Sequence, residues 1–231
     1  MTDAHRYAML LSALPDHGPL FGAKQTPLSR IRLNQRLALL DPEDFACLQT
    51  LGALQDWARQ DLDQSDTQAV ERANRLVPTI AHPFVRDLVI WRLELRTLVA
   101  ALRRRRRGDA APNDNRWGFG RWVAQIRRHW HEPGFRLDGA FPWLPEANRL
   151  LALDDSLGLE RLLLGAAWTR LERLSDGHYF DFEAVVIYVM RWDLIARWTG
   201  YRGEAATQRF DELVAAGMTA IALDPITETR P

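Results

Sequence analysis

The stretch from His82 to Gly108 limits what this chain can become more than any other part of it. Phe84, Leu88, Trp91, Leu95, Leu98 and Leu102 recur three or four residues apart. That is the period of one helix face. His82-Pro83 opens the run with a proline at the first helical position, where its missing N–H costs nothing. Arg103, Arg104, Arg105, Arg106 and Arg107 close it before Gly108. Cations in a last turn complement the carbonyl end of the helix dipole, and glycine is the usual terminator. A helix of this length with one apolar stripe has to bury that stripe against other elements.

Those elements also read as helices. Thr26-Pro27 is an N-cap followed by proline, and Leu28, Ile31, Leu33, Leu37 and Leu40 follow as a stripe. Asp41-Pro42-Glu43-Asp44 starts a helix through Phe45, Leu48, Leu51 and Leu54 to about Trp57. Ser65 opens a shorter one ending at Leu76 before Pro78. Beyond Gly108, helices are expected at 117–130, after the apolar turn Phe141-Pro142-Trp143-Leu144-Pro145, and from Asp155 or Ser156 to about Leu174. Asp181 caps the most apolar helix, Phe182 to Trp198, which is apolar around most of its circumference and is expected at the centre. A last helix is expected over Glu204 to Ala216. No hairpin or βαβ series is visible, so the expected class is all-α, a multi-helix bundle. The expected organisation is an N-terminal helical half (1–107), a linker (108–116, rich in Gly, Asn, Asp and Pro), a C-terminal half (117–223) and a tail (224–231).

Several function classes fall away on composition. With 231 residues, 47% hydrophobic, the chain can build a substantial core. Its formal net charge is zero, so no whole-chain attraction to nucleic acid or membrane is implied. Cys47 is the sole cysteine, which rules out an internal disulfide and fits a reducing compartment. No run reaches about 18 uninterrupted apolar residues, and Met1 to Ser12 lacks the layout of a signal peptide. Lys24 is the sole lysine, and no phosphate-loop or G-x-S-x-G motif occurs. Nine tryptophans sit within helical patterns and are expected mainly in the core.

Candidate chemistry is sparse. His129-x-His131-Glu132 is the one local metal-like cluster, but residues two apart on a helix face different ways. Cys47 lies between Phe45 and Leu48 and is expected as a buried structural thiol. Glu160, Glu172 and Glu183 are explained by solvated helix ends and polar faces. No catalytic residue, cofactor site or metal site is therefore expected. The run Arg103 to Arg107 is the candidate partner interface, facing an acidic protein partner, lipid head groups or a nucleic acid. Strands carrying aromatic platforms, usual in RNA-binding folds, are not seen.

Several stretches together resemble a bacterial family related to the C subunit of V-type (V/A-type) ATPases. They are Tyr7 to Pro15, Pro27-Leu28-Ser29, Leu40-x-Pro42-x-Asp44, Trp91 to Arg107, Pro142 to Pro145, Glu160-Arg161, Ala167-Trp168, Phe180-x-Phe182-x-x-Val185-x-x-Tyr188 and Ala196-Arg197-Trp198. The resemblance implies a non-catalytic accessory subunit of an ion-translocating (proton or sodium) ATPase, with no cofactor and no small-molecule substrate. It would be cytoplasmic and peripheral to the inner membrane, in contact with the central stalk or membrane ring. The C subunit itself is longer and has three helical repeats, whereas this chain shows two comparable halves. The alternative is a stand-alone helical regulator or RNA-binding protein using Arg103 to Arg107.

Overall fold

In the computed structural model, residues 5–60 and 66–201 are described, and the side chains of 53–67 and of residue 69 are not. The helices are α1 (Ala8–Ser12), α2 (Arg30–Leu37), α3 (Pro42–Gln60), α4 (Asp66–Leu76), α5 (Pro83–Arg106), α6 (Val123–Arg128), α7 (Leu144–Ala152), α8 (Ser156–Leu174) and α9 (182–201). Among the described residues there is no strand, so the class is all-α. None of these helices is long and apolar enough to cross a membrane. The helix expected over Glu204 to Ala216 and the start expected at Ser65 lie outside the described residues, as do the side chains of Leu54 and Trp57.

Local chemistry sets the helix ends. Asp155 caps α8 by accepting from the Gly158 amide at 2.7 Å, and Asp181 caps α9 by accepting from the Ala184 amide at 2.9 Å. The terminator of α5 forms as expected. Gly108 has φ +83°, its amide donates to Arg105 O, and Asp109 N donates to Arg104 O. These are the two bonds of a Schellman motif.

Two starts differ from expectation. α2 begins at Arg30, because Ser29 Oγ and not Thr26 takes the capping role, accepting from Arg32 N. On this helix Ile31 is 72% exposed while Leu33 and Leu37 are buried, so Ile31 is not part of the buried stripe. The helix expected at 117–130 shrinks to α6. Residues 117–122 instead lie as a turn on α5, held by Phe119 N donating to Thr97 Oγ1 and Arg121 N to Glu94 Oε1. Gly118 and Gly120 permit the approach. A Cβ on Gly120, whose φ is +95°, would collide with Glu94 Cγ.

The core forms two main clusters, with Ala73 buried apart from them, and the two do not divide at 108–116. The larger gathers Leu10, Leu33, Leu51, Val85 and Leu88 with Leu171 and the α9 residues Val185, Val186, Met190 and Ile195. The smaller holds Leu98, Ala101 and Leu102 with Trp117, Ile126, Trp130, Phe135, Leu144 and Leu159. α5 thus has its first half in one cluster and its second half in the other, and α8 spans both through Leu159 and Leu171. α9 is central, as its apolar circumference predicts. The segment 108–116 is itself tied down. Trp130 Nε1 donates to Asp109 O, Arg127 donates to Asn113 O, and Pro112 is buried. Every tryptophan whose side chain is described is buried or half-buried.

Candidate functional site

Five consecutive residues on a helix advance about 100° each, so they sweep the whole circumference and cannot share one face. The arginine run obeys this. Arg105 continues the apolar stripe of Leu98 and Leu102 and turns inward. Its guanidinium donates to the carbonyl oxygens of Trp130, Glu132 and Pro133 and to Asn148 Oδ1 at 2.6 Å, and it lies 4.6 Å over the Phe135 ring. Burial lowers its pKa. Arg105 is a cross-tie between α5, the 130–136 turn and α7. The turn it holds contains two successive left-handed residues, Phe135 (φ 54°) and Arg136 (φ 55°), each costing of order 1–3 kcal/mol. Arg104 is half-buried, 3.6 Å from Asp109 and over the Trp117 ring.

The other three arginines meet at one groove. Arg103, Arg106 and Arg107 line a cavity of about 510 Å³ together with Leu151 of α7 and Ser156, Leu159, Glu160 and Leu163 of α8. Arg103 is exposed and has no ion pair among the described residues. Arg106 pairs with Asp154, which is 77% exposed, and Arg107 with Asp109 at 3.0 Å. The Arg106 guanidinium, through its hydrogen bond and charge, holds the Asp154 carboxyl below the usual range. Exposed pairs of this kind contribute little to stability, so an incoming anion can exchange with them. Glu160, the one acid among the groove's lining residues, is engaged by both Nε and Nη2 of Arg197 on α9. The groove therefore presents net positive charge over an apolar floor. Leu153, in the α7–α8 connection, and Leu157, in the first turn of α8, are 64% and 47% exposed.

The remaining sequence candidates do not assemble. His129 Nδ1 lies 3.0 Å from Glu132 Oε1, whose other oxygen is taken by Arg136, and His131 points to solvent. Cys47 is half-buried, not fully buried as expected. Burial first and the Asp44 charge second push its thiol pKa up, which keeps it protonated and a poor nucleophile. Glu172 accepts from Trp168 Nε1 at 2.8 Å. Glu183 is not a solvated helix-end carboxylate: it lies half-buried beside His82.

Sequence reasoning misses Glu94. It is 5% exposed, deep on α5, and accepts from Arg121 N at 3.1 Å and Trp122 Nε1 at 3.2 Å. The available signal is Gly118-Phe119-Gly120, two glycines bracketing an aromatic where backbone must come close to a neighbour.

No protein-family model, no curated protein and no solved structure matches the chain.

Proposed function

We propose that this protein is a non-catalytic helical adaptor that receives an acidic segment of a larger assembly in the groove of Arg103, Arg106 and Arg107. The assembly proposed is a bacterial V-type ion-translocating ATPase, engaged on the cytoplasmic side of the inner membrane at its central stalk or membrane ring. The sequence resemblance supplies that assembly. The groove carries the reading: three guanidinium groups and three leucines on the ends of well-packed helices suit a partner that is both acidic and amphipathic. Packed helical cores are stiff, which suits a part that transmits force.

The test is purification of the tagged protein from its own host after mild detergent extraction of membranes. Recovery of ATPase stalk or ring subunits in constant ratio is the expected result. Recovery of the protein alone, from membranes whose ATPase remains assembled, overturns the reading. Affinity for RNA that falls steeply with salt would replace it with the regulator alternative.

A further inference from the structure

Away from the groove, three segments bring two histidines and two carboxylates together. Asp181 and Glu183 stand at the cap and first turn of α9, His178 in the turn between α8 and α9, and His82 at the cap of α5. One ligand atom from each of His178, Asp181 and Glu183 lies within 4.8 Å of the other two. His178 Nδ1 is 2.7 Å from Asp181 Oδ2, and His82 Nε2 is 3.7 Å from Glu183 Oε1.

We propose that His178, Asp181 and Glu183, with His82 as fourth ligand, form a binding site for one zinc-like divalent cation that ties α5 to α9. Around a tetrahedral ion with bonds of about 2.0–2.2 Å, ligand atoms sit about 3.3–3.5 Å apart. The His82–Glu183 spacing is near that already. The His178–Asp181 hydrogen bond must lengthen by about 0.6–0.8 Å, and the widest separation within the His178, Asp181 and Glu183 set, up to 4.8 Å, must close by up to about 1.3–1.5 Å. Both are side-chain adjustments. Two imidazoles and two carboxylates suit zinc and other imidazole-binding transition metals over magnesium or calcium, which take all-oxygen shells.

The surroundings are ordered for this role. Asp181 Oδ1 is fixed by the Ala184 amide, which leaves Oδ2 for an ion. The rings of Phe84 and Phe182 pack edge-on against His178 and His82, with centroids 5.5 and 5.1 Å away. The four side chains are between 17% and 30% exposed, which leaves an entry path. The α9 dipole opposes a cation with roughly half a charge, and two full carboxylates outweigh it. A capping interaction explains Asp181 alone. It does not explain why Glu183 and two histidines from other segments converge on it.

The experiment is calorimetric titration of the full, tag-free chain with zinc chloride, with cobalt(II) absorption as a probe of coordination. The expected result is one saturable zinc site per chain, visible d–d bands with cobalt, and no competition from magnesium. His178→Ala and Glu183→Gln, each checked for a native circular dichroism spectrum, should each lower the affinity about a hundredfold, at least the loss seen when even an outer-shell partner is removed. Glu183→Gln keeps shape and serves if His178→Ala fails to fold. His129→Ala, at the other histidine–carboxylate pair, should leave binding unchanged. Absence of saturable zinc binding by the wild type overturns the proposal. So does binding that survives both site variants or falls with His129→Ala.

Discussion

Burial holds the His17 pKa at about 4, against an ordinary 6.5. The nearby Arg191 charge pushes the same way, while the hydrogen bond to Tyr188 O partly offsets them. Since a carbonyl can only accept, Nε2 carries the proton of the neutral ring. The ring sits 4.1 Å from that of Tyr188, whose hydroxyl donates to Pro15 O and whose pKa burial pushes up to about 12. A histidine with a depressed folded pKa contributes its stability above the unfolded value of 6.5 and loses it as pH falls through about 4. Urea unfolding from pH 7 to pH 4 should therefore show a loss of order 2–3 kcal/mol from this group. His17→Gln should flatten that part of the curve, and an unchanged slope would remove His17 as its source. Glu94 gives a second test. Glu94→Ala strands two part-buried donors and opens a cavity, an expected cost of about 2–4 kcal/mol in urea unfolding, and Glu94→Gln should cost less. Neither residue is legible in sequence, because burial of a charged or titratable group depends on what folds over it. For Glu94 that cover is 117–122, whose sequence reads as helix.

Most helices can be read from the chain, and the reason is chemical. Asp41-Pro42, His82-Pro83, Asp155 and Asp181 carry their start signals within a few residues, and Gly108 carries a stop. For α2 the sequence points too early because Thr26-Pro27 and Ser29 are both valid caps, and the tertiary fit of Leu33 and Leu37 selects the second. The arginine turn is legible as a feature but does not form the single surface that its sequence suggests. Continuing the α5 stripe from Leu98 and Leu102 by three residues sets Arg105 apart. The contrast is measurable. Arg105→Ala breaks a part-buried set of hydrogen bonds from one charged group, which hold the left-handed turn in place, at an expected cost of about 2–4 kcal/mol. Arg107→Ala removes one exposed pair and should change stability by no more than ~0.5 kcal/mol. Equal losses in the two variants by urea unfolding would contradict the assignment of Arg105 as the inward cross-tie.

At the scale of the molecule, the sequence suggests two helical halves on either side of 108–116, while the side-chain clusters follow a different division. The larger cluster closes only when α9 packs onto α1, α2, α3 and α5, so the N-terminal segment lacks the centre of its own core. Apolar periodicity shows that a face is buried but not what covers it, so this pairing is not readable from the chain alone. Residues 1–107 expressed alone should show no cooperative thermal transition, whereas the full chain should unfold through one. A cooperative transition in the fragment would restore the two-half organisation. Leu98→Ala, at a fully buried point where α5 enters the second cluster, should cost about 2–5 kcal/mol and shift that single transition without splitting it. What this stiff body holds is the remaining question. Arg103, Arg106 and Arg107 can be reversed together to glutamate with the native circular dichroism spectrum as a check, since all three are exposed. The decisive measurement is recovery of ATPase stalk or ring subunits on the wild type and on this triple variant, in parallel, at low and high salt. Recovery on the wild type should weaken with salt and be lost in the variant. Undiminished recovery on the folded variant would rule out the groove as the docking site.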